Sequence, residues 1–239
     1  MPQPPAPIRA IFFDAGQTLL FPDPAVEEVY AAAFASYGLA VSVTDVHRAV
    51  HATWRVVAQR REAGEDRWGQ DGAEAGFWRR FVSAVFAGVG GGELPEPLLQ
   101  ELVRHFQDGS KWKAFPEVFA VLAQLRAEGY RLLIVSNWDS SLPLLLANLG
   151  LTPYFDAVIV SAEIGASKPS PAIFAEALRL AGVSPDCVLH VGDSRDEDYE
   201  GARAAGLHAL LLDRSGRAGT AVPTIRSLDE IAAWLRSRP

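Results

Sequence analysis

Short, nearly continuous apolar runs recur along the chain, and each of them ends at an acidic residue or a serine. Runs of this length without polar alternation are typical of strands that are buried on both faces of a sheet. We predict strands over five such segments: Ile8–Asp14, Tyr130–Ser136, Ala157–Ser161, Val188–Asp193 and His208–Asp213.

Helical periodicity fills the segments that follow the strands from residue 116 onwards. The predicted helices are Pro116–Glu128, Ser140–Leu149, Pro171–Ala181, Tyr199–Ala205 and Leu228–Arg236. Strands that alternate with helices at this spacing favour βα units, which build a parallel sheet covered by helices on both faces. The predicted fold class is therefore α/β, with a Rossmann-like parallel core.

The stretch between the first and second strands has helical patterns and little sign of strands. Its predicted helices are Pro24–Tyr37, Val43–Ala63, Gly72–Val89 and Glu96–Gln107. We therefore expect an all-helical domain over residues 22–109, inserted into a core formed by residues 1–21 and 110–239.

Composition narrows the classes of function. The chain has 239 residues, of which 49% are hydrophobic, enough for a sizeable core. Its formal net charge of −7 argues against a dedicated nucleic-acid or anionic-membrane binder. No apolar run reaches the roughly 18 residues that span a bilayer. The single cysteine, Cys187, excludes an internal disulfide and fits a reducing compartment, so we expect a cytoplasmic protein whose oligomeric state stays open.

Polar residues stand at the ends of four predicted strands. They are Asp14 with Thr18, then Ser136-Asn137, Lys168-Pro169, and Gly192-Asp193 with Asp198. Ligands of open α/β sheets bind outside the carboxyl ends of the strands. One acid at a strand end is often structural, but acids, a hydroxyl and a lysine at successive ends indicate a catalytic site. Lys168 supports this interpretation, because the chain has only three lysines and one of them stands in this pattern.

In order and spacing, these four motifs resemble those of the haloacid dehalogenase (HAD) superfamily of hydrolases, and the resemblance covers nearly the whole chain. It implies that the helical insert is that family's small helical cap. The segment Ser136-Asn137-Trp138-Asp139 is similar to that of a subgroup of uncharacterised HAD-like hydrolases.

The resemblance also implies a mechanism: Mg²⁺-dependent hydrolysis of a small phosphate ester or anhydride. Asp14 would be the nucleophile that forms an aspartyl-phosphate. The metal would bind the carboxylates of Asp14 and Asp193 and the Gly16 carbonyl, with Asp198 as a further ligand or a supporting acid. Thr18, Ser136, Asn137 and Lys168 would bind the phosphoryl group, with Ser136 and Lys168 also serving catalysis.

One position departs from the phosphatase pattern. HAD phosphatases carry a second Asp two residues after the nucleophile, as general acid and base, and here that residue is Gly16, followed by Gln17. Neither side chain supplies a proton, and general acid–base catalysis is worth about 10²–10⁴ in rate. The sequence therefore predicts slow turnover of poorly activated substrates. Asp139, expected to cap the next helix, is the nearest alternative acid.

Three other interpretations follow from the missing Asp. In 2-haloacid dehalogenases the aspartate attacks carbon without a metal, but their usual aromatic residue is not at position 16, and the Gly192–Asp198 motif is retained here. Phosphonoacetaldehyde hydrolases use a cap lysine, and no lysine precedes Lys111. A catalytically degenerate protein that binds phosphate or a partner is the third alternative.

His47 and His51 lie four residues apart in a predicted helix of the insert. This spacing suits two metal ligands, but no third ligand is evident from the sequence. The favoured interpretation is a pair of solvated side chains on an exposed helix face.

Overall fold

The computed structural model describes residues 6–62, 73–216 and 221–237. The chain forms two compact units. One consists of Met1–Phe21 with Ala114–Pro239, and the other is Pro22–Lys113. Among the described residues, no helix combines the length and the apolarity that a membrane span requires.

Within the described residues, six strands of the first unit form one parallel sheet, in the order β5-β4-β1-β6-β7-β8. The strands of the chain are β1 (Ala10–Phe13), β2 (Leu20–Pro22), β3 (Trp112–Ala114), β4 (Arg131–Ser136), β5 (Ala157–Val160), β6 (Val188–Gly192), β7 (His208–Leu212) and β8 (Thr224–Ile225). The predicted α/β fold with a parallel sheet is confirmed. The short strands β2, β3 and β8 had no clear hydrophobic signal.

The second unit is helical. Its helices are α1 (Val26–Ser36), α2 (Val43–Glu62), α3 (Ala73–Gly88) and α4 (Glu96–Gln107). Aromatic side chains build its core: the Phe34 ring lies 5.0 Å from that of Phe86 and 5.5 Å from that of Tyr30, both edge to face. Ala63 and Gly72, the predicted ends of two helices, lie outside the described residues.

The remaining helices belong to the α/β unit: α5 (Val118–Ala127), α6 (Leu142–Asn148), α7 (Ser161–Ile164), α8 (Pro171–Ala181), α9 (Gly201–Ala204) and α10 (Ile231–Arg236). All the residues of β1 and β6 are buried, as expected for central strands covered on both faces.

The helical segment after β6 differs from the predicted one, Tyr199–Ala205. It begins earlier, as a π-helical turn over Arg195–Glu200 that continues into α9. The Ser194 hydroxyl accepts a hydrogen bond from the Glu197 N–H, and the Asp198 carboxylate accepts one from the Ser194 N–H. These local bonds start the turn and place Asp198 inside the protein.

Candidate active site

The strand order brings three of the predicted motifs side by side. β1 lies between β4 and β6, with Phe13 in register with Ile134 and with Val191. Asp14 therefore leaves the sheet between Ser136 and Asp193, at the carboxyl ends of the strands. This is the edge at which parallel α/β sheets bind their ligands.

Lys168 connects two of the acids. Its Nζ donates to Asp14 Oδ1 at 2.6 Å and to Asp198 Oδ1 at 2.5 Å, and the residue is only 1% exposed. Ser136 Oγ also donates to Asp14 Oδ1, at 3.0 Å. One oxygen of Asp14 is thus fixed by a cation and a hydroxyl.

Asn137 positions Lys168 through its side chain. Its Oδ1 accepts a hydrogen bond from the Lys168 N–H at 2.7 Å, and its Nδ2 donates to the Lys168 carbonyl at 3.0 Å. The same Nδ2 donates to Glu197 Oε2 at 2.9 Å. The amide therefore holds the lysine backbone, a role that the sequence did not indicate.

Protein groups occupy both oxygens of Asp198. Its Oδ1 accepts from Lys168 and lies 2.9 Å from His190 Nε2, and its Oδ2 accepts from the Ser194 N–H at 3.0 Å. Position 192 must be glycine, because a Cβ there would collide with the Asp198 carboxylate. In this arrangement Asp198 binds Lys168, and its two oxygens are already engaged by protein groups rather than free for a metal.

The electrostatics of the cluster push the pKa values of its groups apart. Burial raises the pKa of Asp14, which Lys168 only partly counteracts. Partial loss of water and the charges of Asp14 and Asp198 raise the pKa of Asp193, although this residue still reaches solvent. Burial alone would lower the pKa of Lys168 and raise that of Asp198, but the opposite charges outweigh it, so the pKa is raised for Lys168 and lowered for Asp198.

A divalent cation fits this charge distribution. One carboxylate oxygen from each of Asp14, Asp193 and Asp198 lies within 4.8 Å of the others, and Asp193 is open to solvent. Oxygen ligands of this type suit Mg²⁺. Thr18 is fully buried, with its hydroxyl 3.5 Å from Asp193 Oδ1, so it faces this acid.

The loop that follows Asp14 has an unusual backbone. Gln17 adopts a φ of 56°, in the left-handed region that favours glycine. Arg214 holds this loop: it donates to the Gln17 carbonyl at 3.2 Å and to the Thr18 carbonyl at 2.8 Å. Its guanidinium is paired with Glu117 at 2.7 Å and lies 3.6 Å from the centre of the Phe115 ring.

Trp138 occupies the space beside Gly16. A Cβ added at Gly16 would lie 3.1 Å from Cζ3 of the indole, which is a tight contact. The Gly16 backbone itself lies outside the left-handed region, so its conformation does not require glycine. Asp139, the alternative acid, accepts hydrogen bonds from the N–H and the hydroxyl of Ser141, just before α6. Asp139 thus closes a turn just before α6, whose N-cap residue is Ser141 rather than Asp139.

The structure thus places every predicted site residue in the α/β unit. It adds four residues to the network that the sequence did not reveal: Trp138, His190, Glu197 and Arg214. His190 is the one polar side chain in the apolar run of β6, and that position could have indicated a buried polar partner. Glu197 and Arg214 resemble the other charged residues of the chain, and only their tertiary contacts distinguish them.

Comparison with known proteins identifies relatives that cover most of the chain. The sequence profile of a family of hydrolases, described as haloacid dehalogenase-like hydrolase, matches residues 8–206. A bovine haloacid dehalogenase-like hydrolase domain-containing protein 3 is 34% identical over 86% of this chain and 82% of its own length.

Two phosphatases are related to about half of the chain. A glyceraldehyde 3-phosphate phosphatase of Methanopyrus kandleri is 36% identical over 52% of this chain and 54% of its own length. A phosphoserine phosphatase of Thermus thermophilus is 35% identical over 53% of this chain and 51% of its own length.

Solved structures share the fold. The HAD-hydrolase YfnB from Bacillus subtilis, bound to magnesium, has a TM-score of 0.76 at 22% identity, covering 96% of this chain and 99% of YfnB. The L-2-haloacid dehalogenase from Xanthobacter autotrophicus has a TM-score of 0.73 at 22% identity, covering 97% of this chain and all of its own.

We expect Asp193→Asn to raise the Tm of the metal-free protein at neutral pH. The folded protein favours the protonated form of Asp193, because folding raises the pKa of this carboxyl. The free energy of unfolding therefore falls as the pH rises from the ordinary Asp pKa toward the raised one. The amide cannot ionise. The gain in Tm should vanish below about pH 4, where Asp193 is protonated in both the folded and the unfolded chain.

Thermal unfolding of both proteins across this pH range measures the effect. Asp196→Asn is the matched control, because Asp196 is an exposed acid just beyond the same strand. A lower Tm for Asp193→Asn at neutral pH would contradict the assignment of Asp193 as a repelled carboxylate.

Proposed function

The chain belongs to the haloacid dehalogenase-like hydrolase family, and from that premise we propose that it is a Mg²⁺-dependent phosphatase of small phosphate esters or anhydrides. The observation that carries the proposal is the excess negative charge at the carboxyl end of the sheet. In the described residues, three carboxylates gather there around the single ammonium of Lys168. A divalent cation and a phosphoryl group complete such a site.

Asp14 is the proposed nucleophile. Its Oδ1 accepts from Lys168 and Ser136, while its Oδ2 has no hydrogen-bond donor among the described residues. Oδ2 therefore attacks phosphorus, the bond from phosphorus to the leaving oxygen breaks, and an aspartyl-phosphate forms. Water then attacks that phosphorus, the bond from phosphorus to Asp14 Oδ2 breaks, and phosphate leaves with the protons of the water, which regenerates the Asp14 carboxylate.

The residues around Asp14 serve positioning and charge. Lys168 offsets negative charge on the phosphoryl oxygens. Ser136 orients the nucleophile, and its hydroxyl and the backbone N–H of Asn137 bind the phosphoryl oxygens. Asp14, Asp193 and the Gly16 carbonyl would hold Mg²⁺, with Asp198 as a further or supporting acid. When bound, the metal would neutralise charge and orient the phosphoryl group.

The relatives support phosphate chemistry. The two partial relatives from Methanopyrus and Thermus are phosphatases. At 22% identity, the likenesses to the magnesium-bound YfnB and to the L-2-haloacid dehalogenase concern the fold alone. Dehalogenation and catalytically silent phosphate binding are therefore alternatives that the same assay tests.

The proposal is tested by following hydrolysis of p-nitrophenyl phosphate with and without Mg²⁺. We expect metal-dependent turnover that Asp14→Asn abolishes, because the amide is a poor nucleophile of similar shape. In parallel, metal-free protein is incubated with 2-chloropropionate. Chloride release would point to dehalogenation, and Mg²⁺-dependent phosphate binding without turnover of any phosphate would point to a silent site.

We expect turnover to fall steeply as the pKa of the leaving group rises. Gly16 supplies no proton, so an alkoxide must leave as an anion, whereas a nitrophenolate departs readily without one. A series of substituted phenyl phosphates and one alkyl phosphate measures this dependence. Equal rates across the series, with chemistry shown to be rate-limiting, would mean that another residue donates the proton.

We expect Gly16→Asp to raise turnover of alkyl phosphates most, by up to about 10²–10⁴-fold if the carboxyl reaches the leaving oxygen. The backbone at Gly16 accepts a side chain, but the Trp138 indole must move by a few tenths of an ångström. Combining the substitution with Trp138→Phe provides that space.

Gly16→Ala is the matched control, because it adds the same Cβ without a carboxyl group. It should leave the preference for activated phosphates intact. If Gly16→Ala and Gly16→Asp behave alike, also in combination with Trp138→Phe, the missing carboxyl does not limit the rate.

A further inference from the structure

A second cluster of metal-ligating side chains lies in the helical unit, on the surface where α1 meets α2. It consists of Glu27 on α1 and of His47 and His51 on α2. His47 Nδ1 lies 2.9 Å from Glu27 Oε1, and the imidazole centroids of His47 and His51 are 4.2 Å apart. One ligand atom from each residue lies within 4.8 Å of the other two.

Helix packing supplies the ligand that the sequence did not show. The spacing of His47 and His51 places both rings on one face of α2. Glu27 precedes His47 by 20 residues and belongs to a different helix. The acid therefore reaches the histidine pair only because α1 and α2 pack together.

We propose that Glu27, His47 and His51 form a binding site for a divalent transition metal such as Zn²⁺. Neutral imidazole and carboxylate are ordinary zinc ligands, and a site with three protein ligands keeps its fourth position for water. Mg²⁺ prefers oxygen ligands only, so it should not bind at the two imidazoles. The two metal clusters of this chain therefore differ in the ions that they select.

The environment of the cluster permits metal exchange with solvent. The side chains of His47 and Glu27 are 54% and 22% exposed, so an ion can reach them without unfolding of the helices. The existing contact between Glu27 and His47 also orients the imidazole before the metal arrives. A bound ion would cross-link α1 to α2 and stabilise the folded helical unit.

The site is tested by titrating tag-free, full-length protein with Zn²⁺ and following its histidine rings by NMR. The chain has five histidines, so each ring can be assigned by substitution. We expect Zn²⁺ to shift the signals of His47 and His51 and to raise the Tm, and Mg²⁺ to do neither at these rings. His190, bonded to Asp198, reports separately on metal at the acidic cluster.

Calorimetry on matched variants measures the contribution of each ligand. His51→Gln and Glu27→Gln should each raise the Kd for Zn²⁺ by about 10–100-fold. His208→Gln is the control, because His208 belongs to the α/β unit and is a member of neither metal-ligating cluster. Circular dichroism checks that each variant keeps the helical fold.

Two outcomes would overturn the proposal. One is Zn²⁺ binding that shifts only His190, which would place the ion at the acidic cluster alone. The other is an unchanged Kd in Glu27→Gln, which would reduce the site to two histidines. The first outcome would agree with the divalent-cation site of the phosphatase proposal, which concerns the other unit, and the second does not bear on that proposal.

Discussion

The buried bridge from Asp14 through Lys168 to Asp198 organises the candidate active site. Removing such charges from water costs several kcal/mol per ion, so they persist only with close partners and further hydrogen bonds. The structure provides these: Ser136 for Asp14, and Ser194 and His190 for Asp198. Residues from all four motifs are thus mutually dependent, because hydrogen bonds and opposite charges within the network stabilise each buried charge.

This network leaves the site short of positive charge. Lys168 divides its hydrogen bonds between Asp14 and Asp198. The negative charges of these two acids still repel the carboxylate of Asp193. In a parallel sheet all the strands end at one edge, so the acids cannot separate. The same geometry that makes the metal-free site electrostatically unfavourable prepares it for a cation.

The loop after Asp14 shows how one fold accommodates a changed first motif. Gln17 occupies a left-handed position that favours glycine, and Arg214 fixes the carbonyls of Gln17 and Thr18. The indole of Trp138 fills the space beside Gly16 where a catalytic carboxyl would begin. The loop therefore has a fixed backbone but no proton-donating side chain at position 16, which agrees with the proposed preference for activated phosphates.

The sequence by itself determined the α/β class, the five long strands and the residues at the strand ends, because burial on both faces demands uninterrupted apolar runs. It also revealed the family, since four motifs in order are specific. Only tertiary structure decided that Asn137 holds the Lys168 backbone, that Arg214 clamps the first loop, and that Glu27 joins the histidine pair. Such contacts join residues that are distant in the chain, and no local pattern records which charged side chain packing will bring to which partner.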